Sequence, residues 1–286
     1  MRLHVDDYGY TGAGSSGELL LIHGWGMHSG LWGGIAEKLA QHFRVMTVDL
    51  PGHGYNAGVI APFGMSLSKT EPANSLRLDK LTASGSAFLL DAVVDELSAQ
   101  FTGPLAICGW SLGGQIALRW AMRQPQQVKR LVLVATTPCF ERRPDWPCAM
   151  AAETMAAFDA ALRQNYAQTL RRFLALQVRG GKQERALLVT LRRLLFSRGE
   201  PDFHALQGGL NILRVCDLRS ALSGVNQPSL VIAGEHDTLA PLLAAQYLTR
   251  HLPNARLAEI KGAAHAPFLS HPNEFLKYVV NFVSEQ

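Results

Sequence analysis

The chain reads as an α/β protein: a mainly parallel sheet covered by helices on both faces, with a helical lid above its carboxyl edge. Three observations predict this. Six short apolar runs, at 19–22, 44–48, 105–108, 130–135, 229–233 and 255–260, alternate with segments of helical pattern over most of the chain, which is the rhythm of strand and crossover helix. A glycine-flanked serine, Gly109-Trp110-Ser111-Leu112-Gly113, stands between one of those runs and the helix-like stretch 114–120, where a strand must turn sharply into a helix. Length and composition agree, since 286 residues at 48% hydrophobic content bury a sizeable core and commonly form one α/β domain. The expected division is a core of residues 1–140 and 201–286 carrying a lid of residues 141–200.

In chain order, the run 19–22 leads into His23-Gly24-Trp25-Gly26-Met27, whose glycines permit a tight turn. The turn aims the Trp25 amide at the pocket, and His23 reads as buried hydrogen-bonding support for it rather than as a base. The run 44–48 ends in Asp49-Leu50-Pro51-Gly52-His53-Gly54, a turn by composition that Asp49 and His53 stabilise. Residues 55–80 are rich in Gly, Pro, Ser and Asn and read as a surface insertion, either disordered or a short hairpin. The run 105–108 then enters the serine turn. Gly109 and Gly113 are needed there because side chains would collide with the neighbouring strand and helix, and the strained backbone lifts the Ser111 hydroxyl to a helix N-terminus. Between 141 and 200 there is no convincing strand and several helical patterns, such as 153–177. Right-handed crossovers gather the functional loops at one sheet edge.

A serine hydroxyl is a poor nucleophile until a base takes its proton, so Ser111 demands a histidine and an acid to orient it. After the run 229–233 comes Gly234-Glu235-His236-Asp237, and after 255–260 comes Gly262-Ala263-Ala264-His265-Ala266-Pro267-Phe268. Asp237 thus stands in a loop beyond a buried strand, and His265 in a small-residue loop able to return over the serine. The order Ser111, Asp237, His265 is that of the α/β hydrolases and differs from the chymotrypsin and subtilisin orders. Other assignments fit less well. His236 adjoins Asp237 and points elsewhere, His271 precedes Pro272 at the start of the last helix, His251 lies at a helix end with nothing to orient it, and Asp217 suits a solvent-facing or capping role. The amides of Leu112 and Trp25 are the expected oxyanion donors.

Composition narrows the class further. Residues 141–200 hold eleven Lys and Arg against six Asp and Glu; the remaining chain has sixteen against seventeen, so the whole net charge of +4 comes from the lid. Arg171, Arg172, Arg179, Lys182, Arg185, Arg192 and Arg193 form its dense part, able to steer an acidic partner to the mouth of the site or serving as ordinary solvated helix faces. No nucleic-acid motif accompanies them. Cys108, Cys139, Cys148 and Cys216 show no metal spacing and fit a reducing compartment. With no basic, apolar, cleavable leader and no apolar stretch near 18 residues, a cytoplasmic protein off the membrane is expected.

These stretches together resemble the pimeloyl-[acyl-carrier protein] methyl ester esterases of biotin biosynthesis, carboxylesterases of the α/β-hydrolase fold. The resemblance runs from His23-Gly24-Trp25-Gly26 through Asp49-Leu50-Pro51-Gly52, the serine turn, Thr137-Pro138-Cys139-Phe140, Asp145-Trp146-Pro147 and Gly208-Gly209-Leu210 to Ala264-His265-Ala266-Pro267-Phe268. Its most selective part is Arg172-Phe173-Leu174-Ala175-Leu176-Gln177 in the lid. It implies a Ser111, Asp237, His265 triad, oxyanion donors at Trp25 and Leu112, no cofactor and no metal. It also implies an acyl channel along residues 173–177, a carrier protein bearing a methyl-pimeloyl chain as partner, and lid arginines that grip it. Arg172 and Arg185 match such arginines, whereas Gln168 and Val189 stand where the pattern has arginine, shifting docking to neighbours such as Arg171, Arg192 or Arg193. Trp110 and Phe140 are further expected lining residues, and a monomer is expected. A general short-chain carboxylesterase, or a non-catalytic carrier-protein binder, would share the scaffold.

Overall fold

The computed structural model describes residues 2–12, 17–59, 83–180 and 183–285. Most of the expected insertion at 55–80, and Lys182, lie outside them. Seven strands, β1 (Val5–Gly9), β2 (Glu18–Ile22), β3 (Arg44–Val48), β4 (Leu105–Trp110), β5 (Val128–Val134), β6 (Ser229–Gly234) and β7 (Ala255–Ile260), form one sheet in the order β1-β3-β2-β4-β5-β6-β7. All pairs are parallel except β1 against β3. The central strand β4 is buried at every residue, as its unbroken apolar run requires when both faces are covered.

The edge strand β1, Val-Asp-Asp-Tyr-Gly, is the element absent from the sequence expectation. It is only half-buried and carries two aspartates, so it lacks the apolar run by which the other six are read. Its place is fixed instead by pairing with β3, Val5 opposite Val48, with an irregularity between Asp7 and Gly9.

The helices of the core are α1 (Gly33–Leu39), α2 (Ala83–Gln100), α3 (Leu112–Arg123), α7 (Phe203–Val215), α8 (Leu242–His251), α9 (Pro267–Ser270) and α10 (Pro272–Val283). Residues 141–200, the expected lid, contribute α4 (Ala152–Gln164), α5 (Tyr166–Val178) and α6 (Glu184–Leu194) between β5 and α7. From β2 the chain moves one way along the sheet to β3 and then back past β2 to β4, so right-handed crossovers put α1 on the opposite face from α2 and α3. That reversal leaves the carboxyl ends of β2 and β4 side by side, Ile22 paired with Gly109, at the position where open α/β sheets form their ligand crevice.

The helical pattern expected over 153–177 is interrupted. Asn165 leaves the helical conformation and its side chain accepts from the Gln168 amide, ending α4 and capping α5. No strand forms between 141 and 200 among the described residues, only isolated bridges such as Arg143 with Trp146. No helix among them is long and apolar enough to cross a membrane, and they hold no cluster of three metal-ligating side chains. All four cysteines are free, with Cys108, Cys139 and Cys216 buried.

Candidate active site

Ser111 is the residue between β4 and α3, and its backbone is left-handed (φ 56°, ψ −115°), a conformation that costs a non-glycine residue of order 1 kcal/mol or more. The surroundings hold it there. Its amide donates to Val134 O at 2.9 Å, and its carbonyl accepts from the Gly114 amide and the Thr136 hydroxyl at 2.9 and 2.7 Å. The flanking glycines are obligatory on steric grounds: a Cβ at Gly109 would stand 2.2 Å from Gly113 O, and one at Gly113 would stand 2.4 Å from Ile22 O. The strain thus serves to present the hydroxyl at the start of α3, where first-turn amides such as that of Leu112 have no intrahelical acceptor.

Asp237 follows β6 and is itself oriented by backbone. Its Oδ1 accepts from the amides of Leu239 and Ala240 at 2.8 and 2.9 Å, leaving Oδ2 to accept from His265 Nδ1 at 2.8 Å. Both side chains are almost fully buried, 0% and 1% exposed. With Nδ1 donating, the neutral imidazole keeps its lone pair on Nε2, and that nitrogen has no hydrogen-bond partner among the described residues. The His265 loop is seated beside the serine turn, because Trp110 Nε1 donates to His265 O at 2.8 Å and the two rings lie 5.8 Å apart. Ser111 and His265 both line one apolar cavity that opens to solvent.

The rejected histidines and acids have other partners. His251 stacks on Tyr247, His271 bonds Ser270, exposed His236 faces Glu235, and exposed Asp217 pairs with Arg219. His23 lies where a supporting residue is needed: its Nδ1 donates to Gly24 O and its Nε2 accepts from the Leu50 amide at 2.9 Å. Burial, joined by the neighbouring His53, pushes its pKa down to about 3, so it stays neutral and ties the turn after β2 to the turn after β3. Asp49 organises that second turn through the amides of Ser29 and Tyr55, and His53 bonds Pro51 O.

The turn after β2 packs directly on the serine. A Cβ at Gly24 would meet Ser111 Cβ at 3.2 Å, so Trp25 follows a residue in van der Waals reach of that serine. The Trp25 indole donates to Leu206 O on α7 at 2.8 Å and meets Phe158 and Phe173 of the lid edge-on, with ring centroids 5.3 and 5.1 Å away. Gly209 on α7 makes room, since a Cβ there would lie 2.8 Å from that indole.

The cavity wall takes only part of the expected lining. Trp25, Ser111, Phe140, Phe173, Leu176 and His265 are on it. Phe173 and Leu176, one helical turn apart, face it, and that periodicity turns Leu174 and Ala175 away; Gln177, on the Phe173 side of α5, is not on the wall, and both it and Leu174 are buried. Trp110 is not on the wall either, because its ring packs behind the site against Trp32 and Phe268. Leu112, fully buried, is absent from it. Residues not anticipated complete the lining: Met150, with Thr154, Met155 and Phe158 of α4, Leu210 and Leu213 of α7, and Leu239. The i, i+3 pairs Met155 with Phe158 and Leu210 with Leu213 are visible in the sequence as helix stripes, though as stripes they read equally as core. Ser111, His265 and Thr154 are the polar side chains of this wall, and Thr154 is exposed, marking the mouth.

The lid cations Arg171, Arg172, Arg179, Arg185, Arg192 and Arg193 are all exposed, and none is in an ion pair among the described residues. Arg171 lies over the Phe196 ring, 5.7 Å from its centroid. Val189, on α6 between Arg185 and Arg192, is 63% exposed.

An arrangement of this kind can activate a hydroxyl for attack on a carbonyl, and comparison with known proteins points the same way. A family model described as the alpha/beta hydrolase fold matches residues 18–272. The chain is 42% identical to the pimeloyl-[acyl-carrier protein] methyl ester esterase of Nitrosomonas europaea, over 92% of this chain and 94% of that one. It is 36% identical to that of Yersinia pseudotuberculosis over 97% of both. Among solved structures, an esterase from Exiguobacterium antarcticum superposes with a TM-score of 0.78 at 20% identity, covering 99% of this chain and 96% of the other, a likeness of fold.

Proposed function

The chain belongs to the pimeloyl-[acyl-carrier protein] methyl ester esterases within the α/β hydrolases, and on that footing we propose that it frees the pimeloyl carboxylate by hydrolysing its methyl ester while the chain is still on the carrier protein, in biotin biosynthesis. His265 Nε2 takes the Ser111 proton as the hydroxyl attacks the ester carbonyl, and Asp237 holds the imidazole in the tautomer this needs. The amides of Trp25 and Leu112 receive the oxyanion. His265 returns the proton to departing methanol; water then repeats the sequence on the acyl-enzyme and releases the carboxylate from Ser111. No cofactor is required.

The observation that carries this reading is the apolar cavity with Ser111 and His265 on its wall and an exposed Thr154 at its mouth. Such a chamber accepts a neutral alkyl chain with its terminal ester at the serine, and leaves the thioester end towards the carrier outside. Exposed, unpaired lid arginines suit an acidic carrier surface, with Arg172 and Arg185 joined by Arg171 and Arg192. The test is methanol release from methyl-pimeloyl carrier protein by the purified chain and by Ser111→Ala. Turnover is expected from the first and none from the second, and the wild-type chain is expected to restore biotin prototrophy to a strain lacking its own esterase. Unchanged turnover by Ser111→Ala defeats the serine mechanism.

A further inference from the structure

Arg198 lies just after α6, at the carboxyl end of the lid, yet its side chain turns inward and is partly buried, 15% exposed. One nitrogen makes its polar contacts: Nη1 donates to Asp6 Oδ2 at 2.7 Å and to Ser29 Oγ at 2.8 Å, and stands 3.6 Å from Asp49 Oδ2. The guanidinium also covers the Tyr55 ring at 4.9 Å. Ser29 closes the turn that begins at His23. Its amide is held by Asp49 Oδ1 at 2.7 Å and its hydroxyl donates to Asp6 Oδ2 at 3.1 Å.

The preceding residue is tied to the same end of the lid. The Gly30 amide donates to His28 Nδ1, so the other ring nitrogen, Nε2, carries the hydrogen and donates to Leu194 O at 2.7 Å. The turn is therefore fixed at both ends by different bodies: His23 ties its start to the loop after β3, and residues 28 and 29 tie its finish to the lid at 194–198. Trp25 lies between the two.

We propose that Arg198 is a positioning residue for catalysis, which sets the Trp25 amide at oxyanion distance by clamping Ser29 between the lid and the carboxylates of Asp6 and Asp49. The inference rests on the reading of Trp25 as an oxyanion donor. An amide displaced by about 1 Å loses much of its bond to the transition state while substrate binding changes little, so the effect falls on kcat.

The experiment compares the full chain with Arg198→Met, Arg198→Lys and Ser29→Ala, active sites counted by phosphonate titration of Ser111. Turnover is followed on a soluble p-nitrophenyl butyrate, and affinity with an alkyl trifluoromethyl ketone whose serine adduct bears the oxyanion. Arg198→Met is expected to lose tenfold or more in kcat per titrated site with KM within twofold, and to weaken ketone affinity by the same factor. Arg198→Lys is expected to recover most of the loss, because the contacts use a single nitrogen. Ser29→Ala, which leaves both carboxylates paired, is expected to shift both readouts the same way by a smaller factor, and stands in for Arg198→Met if that variant does not fold. Wild-type kcat and ketone affinity per titrated site in Arg198→Met, or in Ser29→Ala as its stand-in, overturn the proposal. Loss of activity in Ser111→Ala alongside that result leaves the serine mechanism standing and rejects only the clamp, whereas retained activity in Ser111→Ala rejects the mechanism itself.

Discussion

Asp237 commits its two oxygens to different tasks, Oδ1 to the amides of Leu239 and Ala240 and Oδ2 to His265. In Asp237→Asn the amide oxygen takes the place of Oδ1 on those backbone donors, which turns the NH2 towards His265 Nδ1. The imidazole must then accept there and carry its hydrogen on Nε2, the wrong tautomer for a base. Ester turnover is expected to fall on the order of a thousandfold or more, with thermal stability near that of the parent, as steady-state kinetics and melting measurements will show. His23 gives a second prediction. Its pKa is depressed from 6.5 to about 3 in the folded protein, so the unfolded chain binds the extra proton. Stability is therefore full above pH 6.5 and falls as pH drops towards 3, by up to about 1.4 kcal/mol per pH unit from this group. Urea unfolding at pH 7 and 5 measures the slope, and His23→Asn should flatten it. The Asp237–His265 pairing and the hydrogen bonding of His23 were legible because each residue sits at the end of an apolar run, where spacing and chemistry identify it. The cavity wall was not: whether Phe173 or Leu174 faces the cavity depends on the rotation of α5 against Trp25, which packing decides.

Among the elements, six strands and the serine turn follow from apolar runs and glycines that the chain writes plainly. The exception, β1, depends on partners rather than pattern: its aspartates face an arginine network, with Asp7 paired to Arg44 at 2.6 Å and Asp6 to Arg198 at 2.7 Å. The break in the lid at Asn165 is likewise a local competition in which a side-chain cap ends one helix and starts another. Asn165→Ala removes that acceptor and is expected to cost about 1 kcal/mol of stability, read as a lower urea midpoint with unchanged slope. The loss should appear first as faster amide exchange in the first turn of α5.

At the scale of the whole molecule, the lid is fastened at its two ends and free in charge between them. Arg143 donates to Val215 O and Arg219 pairs with Asp145 at the entry, Arg198 pairs with Asp6 at the exit, and the exposed cations of α5 and α6 are in no ion pair among the described residues. The charge excess was countable in the sequence. The fastenings were not, since Arg198 and Asp6 are 192 residues apart and only the folded sheet brings them together. Arg172→Glu with Arg185→Glu is expected to raise KM for carrier-linked substrate several-fold and to flatten its dependence on salt between 50 and 300 mM, roughly the range where screening acts. A soluble methyl ester, with no carrier to steer, should show far smaller changes in the same assay. The chamber beneath this lid has a final consequence. Hydrolysis converts an uncharged guest into an anion among Trp, Phe, Met and Leu side chains, with no lysine or arginine on the wall among the described residues. An ionised carboxylate left there is severely under-solvated, so the reaction expels its own product, and turnover should resist inhibition by the free dicarboxylic acid.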